Sequence, residues 1–156
     1  MATKNSDIDF AVAAWHENGH WNLELLSDPF NLTTIIKELN SHQTNGGALG
    51  MVAIDEEFFM LVRVLGSHIS LFISDVTCAL DYEVANQFIE IADLPTPVED
   101  DDPLPGGHID IISDLGMGHM ELEALCDDEE LFPDEQLEAI AKRLGFSDEF
   151  VELLEL

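Results

Sequence analysis

Basic residues are scarce in this chain. Its 156 residues include five Lys and Arg against 33 Asp and Glu, a formal net charge of −28 at pH 7. Proteins bind nucleic acids and anionic membranes through positive charge, so here that electrostatic attraction becomes repulsion. We therefore predict no direct contact with nucleic acid or membrane, and a basic protein as partner. A merely solvated, self-repelling surface and an adaptation to salt are the two other interpretations.

Cysteines are few, and long apolar runs are lacking. The two cysteines, Cys78 and Cys126, are too few and too far apart to suggest a disulfide framework. We find no basic-then-apolar leader and no uninterrupted apolar run of about 18 residues, the length that a membrane-spanning helix needs. These features predict a cytoplasmic protein whose thiols are small core side chains.

Sequence motifs for catalysis and metal binding are also lacking. The six His residues are scattered, without a His-Glu-x-x-His or Cys-x-x-Cys pattern. His119-Met120-Glu121 matches half of the zinc deaminase signature, but its Pro-Cys-x-x-Cys half is missing. Asp100-Asp101-Asp102 lacks the alternating spacing of a calcium loop. No nucleophile elbow or phosphate loop is present. We predict no catalytic residues, no metal site and no cofactor.

The most informative apolar stretch runs from Glu57 to Val76. Two runs rich in Phe, Val, Ile and Leu flank Gly66-Ser67, a pair suited to a two-residue hairpin turn. This turn would place Leu65 opposite His68. The first run is apolar at both alternating sets of positions, which is typical of a central strand covered on both sides.

The other segments of residues 1–92 extend this hairpin into an α+β domain. The predicted elements are a strand over Asp7–Trp15, a turn at Asn18-Gly19, a strand over His20–Leu26, a helix capped by Asn31 and ending near His42, a strand over Ala48–Ile54, a turn at Asp55-Glu56, the central hairpin, and a helix capped by Asp81. We expect the first hairpin to be exposed on one face. The order β-β-α-β-β-β-α predicts a five-stranded antiparallel sheet similar to the profilin-like and roadblock-type architectures. An edge strand or a helical face of this domain could form a homodimer.

Composition changes after residue 92. Residues 93–107 are rich in Asp, Pro and Gly, which indicates an acidic linker. Residues 108–156 predict a helical tail packed on the sheet domain. Its elements are a short strand or extended strip at Ile109–Ile112, a helix over Met120–Asp127, a helix with Pro133 at its first position and Gly145 at its end, and a last helix capped by Ser147. Residues 93–156 hold 20 acidic and two basic residues, a net charge of −18, against −10 for residues 1–92. The tail is therefore the better candidate contact surface.

Arg63 is unusual because it interrupts an apolar strand. It is either a structural arginine, at the rim of the sheet or paired with a nearby acid such as Asp75 or Glu57, or an anchor for a carboxylate of a partner. The residues that we select as candidate partner contacts are Arg63, Asp114, Glu121, Asp127, Asp128, Asp134 and Glu135.

Several motifs together resemble one protein family. In order, they are Asp9–Ala14, Gly46–Gly50, Asp55–Phe59, Leu61–Val64, Leu71–Thr77, Ser113–Met117, Met120–Leu122, Asp127-Asp128, Phe132–Glu135 and Ile140–Phe146. Over nearly its whole length the chain is similar to the bacterial tRNA adenosine deaminase-associated proteins. The resemblance implies a protein partner of the enzyme that converts adenosine to inosine at the tRNA wobble position. It supplies no catalytic residues to carry over.

Three functions remain as hypotheses. We prefer a non-enzymatic acidic binding or regulatory protein, with tRNA adenosine deaminase as its candidate partner. A small-molecule sensor on a profilin-like sheet is the first alternative, which a deep apolar pocket would favour. An enzyme of unrecognised type is the second, and it requires titratable groups that converge in one cleft.

Overall fold

The computed structural model describes residues 10–28, 31–42, 44, 46–99, 101–128 and 130–154. Within these residues, one antiparallel sheet contains six strands in the order β2-β1-β3-β4-β5-β6. The strands are β1 (Phe10–Glu17), β2 (His20–Leu25), β3 (Ala48–Ile54), β4 (Phe58–Leu65), β5 (His68–Ile73) and β6 (Gly106–Gly107). The predicted α+β class and antiparallel sheet are confirmed, but the prediction of five strands is wrong. The sixth strand comes from the segment that the composition assigned to a linker.

Helices cover both faces of the sheet. They are α1 (Leu32–His42), α2 (Glu83–Ala92), α3 (His119–Cys126), α4 (Pro133–Leu144) and α5 (Ser147–Leu154). Apolar residues of α1 and α2 pack in one core with one face of the sheet. Apolar residues of α3, α4 and α5 pack in a second core on the opposite face. No helix among the described residues is both long enough and apolar enough to cross a membrane.

The β4–β5 hairpin forms with the predicted register. Leu65 pairs with His68, and Arg63 pairs with Ser70. Every residue of β4 before Leu65 is buried. Because alternate side chains point to opposite faces, Phe59 belongs to the core under α3–α5 while Phe58 belongs to the core under α1 and α2. The strand is central, as its two apolar faces predicted.

The first hairpin differs from its prediction in burial. The turn at Asn18 and Gly19 is confirmed, with φ values of 55° and 82°. Residues 10–14 of β1, however, are all buried, because β1 lies between β2 and β3 and beneath both helical layers. The expectation of one exposed face is therefore wrong for β1. It is the partly exposed β2 that forms the edge of the sheet. Residues 7–9 of the predicted strand lie outside the described residues.

The caps predicted for α1 and α2 have different outcomes. Asn31 caps α1 as predicted, because the Thr34 N–H donates to Asn31 Oδ1 at 3.0 Å. Asp81 does not cap α2, whose N-cap is Tyr82 without a side-chain cap bond. Asp81 instead ends a short 3₁₀ helix over Val76–Leu80. The N-cap of that 3₁₀ helix is Asp75, whose carboxylate accepts a hydrogen bond from the Thr77 N–H at 2.9 Å.

The segment over residues 104–108 lies against the edge of β5. The Val76 N–H donates to the carbonyl of Leu104 at 2.8 Å, and the His108 N–H donates to that of Leu71 at 2.7 Å. Between these bonds, β6 pairs with Phe72 and Ile73. The segment thus closes this edge of the sheet. The strand or strip expected at Ile109–Ile112 is instead a turn, and its two last isoleucines are buried in the core under α3–α5.

Candidate functional site

The helices after residue 107 form a layer that we call the C-terminal layer (residues 108–154 as described). Its apolar side chains are buried against β1, β3 and β4. They include Leu122, Leu137, Ile140, Phe146 and Phe150, each fully buried. The spacing of Leu137, Ile140 and Leu144 puts one apolar face of α4 on the sheet. This face fixes the position of the polar side chains that face away from the sheet.

Arg63 connects the sheet to this layer. Its side chain, 7% exposed, donates to both carboxylate oxygens of Asp114, at 2.5 and 2.9 Å. It also donates to the carbonyls of Ile111 at 3.2 Å and Gly46 at 2.9 Å. The hydrogen bond from Arg63 lowers the pKa of Asp114. The acid paired with Arg63 is thus Asp114, one of the candidate contacts, and not Asp75 or Glu57.

A second ion pair joins α3 to α4. Arg143 donates to the two carboxylate oxygens of Glu121 at 2.8 and 3.1 Å. This bond lowers the pKa of Glu121 and raises that of Arg143. The pair borders a groove of about 610 Å³ between the helices, with Lys142 also at its edge. Its apolar lining residues are Met117, Ala124, Leu125 and Ala139.

The other candidate acids lie at helix ends. Asp127 follows α3, and Asp128 accepts a bond from the Glu130 N–H at 3.0 Å. Asp134 and Glu135 lie in the first turn of α4, where a negative charge is favourable to the helix dipole. Glu135 also accepts from the Phe132 N–H at 2.9 Å. The structure therefore places these four acids at the ends of α3 and α4 and does not gather them in one cleft.

A different surface combines carboxylates with an apolar groove. Glu149 and Glu152 of α5 line a groove of about 300 Å³ together with Trp21 and Leu23 of β2 and Leu153. Both glutamates are exposed. Sequence reasoning missed this surface because an acidic pair on the polar side of a short helix is typical of a solvated face. The spacing of i and i+3, which places both carboxylates side by side, was the available signal.

The pKa values of two cysteines and one tyrosine are shifted by their surroundings. Burial raises the pKa of the Cys126 thiol to about 12 and also raises the pKa of the Cys78 thiol. Burial and a hydrogen bond to Asp55 raise the pKa of Tyr82. Within the described part of the chain, no three His, Cys, Asp or Glu side chains are grouped as metal ligands.

Comparison with known proteins identifies relatives of the chain. The family model of the Rv3753c-like tRNA adenosine deaminase-associated protein matches residues 9–147. Protein Rv3753c of Mycobacterium tuberculosis (strain ATCC 25618 / H37Rv) is 35% identical over 146 residues, covering 90% of this chain and 84% of that protein. No solved structure matches. The family model spans the described sheet and the C-terminal layer up to the start of α5, so the chain belongs to the Rv3753c-like tRNA adenosine deaminase-associated protein family.

Proposed function

We propose that this chain is a non-catalytic, cytoplasmic binding protein that associates with a basic protein partner, and that this partner is tRNA adenosine deaminase. The observation that carries the proposal is the distribution of charge on a fixed scaffold. The C-terminal layer is anchored by a buried apolar face and by the Arg63–Asp114 pair, while most of its carboxylates are exposed. A rigid acidic surface of this kind attracts a positively charged one.

Internal neutralisation of these acids is slight. Arg63 and Arg143 are each bonded to one carboxylate, that of Asp114 and that of Glu121. Lys37 and Lys142 are exposed. With 33 acidic residues in the sequence, most carboxylates remain available to an external cation.

The family name supplies the identity of the proposed partner. A deaminase that acts on tRNA needs a basic surface for its anionic substrate. An acidic protein is complementary to the same surface. We infer that the chain binds there, in competition with tRNA, and that it does not bind the nucleic acid.

Calorimetric titration of the purified deaminase with this chain tests the proposal. We expect binding at about 50 mM salt that weakens strongly toward about 1 M, where the Debye length falls to about 3 Å. Polyglutamate of equal charge is the control for non-specific attraction, and it should bind more weakly because its carboxylates are not held in place. Absence of binding at low salt, or an affinity unchanged at 1 M, would contradict the proposal.

Addition of tRNA to the same titration tests where the chain binds. If the two ligands share the basic surface, tRNA should lower the apparent affinity of the chain, and the chain should inhibit deamination. Simultaneous binding without competition would place the contact elsewhere on the deaminase.

A further inference from the structure

The two edges of the sheet differ. At one edge, β6 and its flanking bonds cover β5. At the other edge, β2 pairs with β1 alone, and no described strand lies beyond it. β2 is six residues long and contains no Pro or Lys, the residues that commonly protect an exposed edge.

Hairpin geometry identifies the free peptide groups of β2. The residues that flank a two-residue turn form a hydrogen-bonded pair, here Glu17 and His20, and such pairs recur at every second residue. The Leu26 N–H donates to the Ala11 carbonyl at 2.8 Å, which agrees with this alternation because Leu26 is an even number of residues from His20. The N–H and C=O groups of Trp21, Leu23 and Leu25 therefore point away from β1, toward the open edge.

The same alternation determines on which face of the sheet the side chains of Trp21, Leu23 and Leu25 lie. The side chains of Trp21 and Leu23 pack with the core under the C-terminal layer. The residues whose peptide groups point to the open edge therefore have their side chains on the face of the sheet that α5 covers. A strand added to this edge would place every second side chain on that side, opposite Trp21, Leu23 or Leu25. These side chains would enter the groove that Glu149 and Glu152 line.

We propose that the β2 edge and the adjoining α5 groove form a docking site for an extended basic segment with Arg or Lys at alternate positions. This inference rests on the proposed function and specifies how the basic partner is bound. The segment pairs with the peptide groups of Trp21, Leu23 and Leu25, in the manner of β-strand addition. Its cations reach the carboxylates of Glu149 and Glu152, and their aliphatic stems cover the apolar groove.

Charge complementarity selects this occupant over a second copy of the chain. Among the described residues, no ion pair joins Glu149 or Glu152 to a Lys or Arg of the chain. Pairing two β2 edges would bring two α5 helices, each with Asp148, Glu149 and Glu152, toward one another. Repulsion between the carboxylates of the two helices opposes that dimer, whereas a bound basic segment would neutralise the same carboxylates.

A labelled peptide provides the first test. The probe has about eight residues that alternate Arg and Thr, and its control has the same composition with all Arg residues adjacent. Fluorescence anisotropy with the full chain at low salt should show tighter binding of the alternating peptide. Glu149→Gln combined with Glu152→Gln should weaken it about tenfold. Glu90→Gln combined with Glu123→Gln, which removes equal charge from exposed sites on α2 and α3, should weaken it less than about twofold. Equal losses in the two double variants would overturn the proposal.

Amide hydrogen exchange provides the second test. Binding of the alternating peptide should slow exchange at the amides of Trp21, Leu23 and Leu25. The amides of Asn22 and Glu24, which already face β1, should change little. Unaltered exchange at the three outward amides would overturn strand addition. Slow exchange at these amides without peptide, together with a dimer mass, would assign the edge to a second copy and also overturn the proposal.

The deaminase separates this inference from the proposed function. If the deaminase binds wild-type chain and the Glu149→Gln/Glu152→Gln variant equally, the docking site is overturned while the proposed function stands. If the alternating peptide binds at β2 with the expected exchange pattern but the deaminase does not bind, the docking site stands and the deaminase is not the partner.

Discussion

Replacing Arg63 with Met is expected to destabilise the whole fold. Met keeps an unbranched apolar side chain in the buried position and removes the donors to Ile111, Gly46 and Asp114. Each carbonyl that loses its donor costs about 1 kcal/mol net. The Asp114 side chain is 62% exposed, so solvent screening limits the ion pair itself to at most about 1 kcal/mol. Removing a buried guanidinium offsets part of this loss. The free energy of unfolding should fall by about 2 kcal/mol.

Urea unfolding followed by far-UV circular dichroism at pH 7 measures this change. Arg63→Lys should give an intermediate loss, because one ammonium cannot reach both carbonyls and the carboxylate at once. Glu121→Gln is the matched control, since it breaks the exposed pair with Arg143 and should change stability less. An Arg63→Met protein as stable as the wild type would refute the structural role assigned to the hydrogen bonds of Arg63.

The pH dependence of Asp114 gives an independent test. Its pKa is lowered in the folded state by the hydrogen bond from Arg63. Such a group contributes stability above its unfolded pKa of about 3.9, and this contribution is lost as the pH falls through the folded pKa. The stability difference between wild type and Asp114→Asn should therefore be constant near neutral pH and shrink below about pH 4. A difference that persists in acid would show that the carboxylate charge is not the cause.

Three further outcomes are expected. Gly107→Ala should lower the free energy of unfolding in urea by more than Gly19→Ala. Both glycines have positive φ, but of the two only residue 107 would bring a Cβ against backbone atoms, those of Leu71 and Phe72. Equal losses in the two variants would contradict this reasoning. Cys126 should resist a thiol reagent at pH 8 in the native protein and react in urea, since burial raises its pKa to about 12; fast native labelling would contradict its burial. Leu137→Ala should cost about 2–5 kcal/mol in urea unfolding, and a smaller loss would mean that the C-terminal layer packs loosely on the sheet.

The sequence predicts local features of the fold well. The turn at Gly66 and Ser67 and the alternation around it determine the register of β4 and β5, because both signals lie within the hairpin. The Asn31 cap and the periodic apolar residues of α1 are equally local. Such features need no knowledge of distant parts of the chain.

Features that depend on distant segments could not be predicted in the same way. Whether β1 is buried on both faces depends on the C-terminal layer, which lies about a hundred residues later. Gly106 and Gly107 have low strand propensity, and only their proximity to β5 makes them a strand. The partner of Arg63 is 51 residues away in sequence, so proximity along the chain favoured the wrong acids.

The candidate contact residues that the sequence indicates differ from those of the docking site that we propose. Asp114 and Glu121 were selected for their charge, and both are bonded to arginines of the same chain. Glu149 and Glu152 are candidates because β2 is an edge strand that lies beside α5. That adjacency is a property of the tertiary structure.

The burial of β4 on both faces makes Arg63 a safeguard against misaligned strands. A slip of one residue would exchange the two apolar faces of β4 and still leave hydrophobic side chains in both cores, so hydrophobicity alone discriminates weakly between the alignments. The same slip would carry the guanidinium away from Asp114 to the side of Leu32, Ile35 and Leu39. One ionic side chain thus penalises the shifted sheet, because in that register the guanidinium would be buried among apolar side chains without its carboxylate.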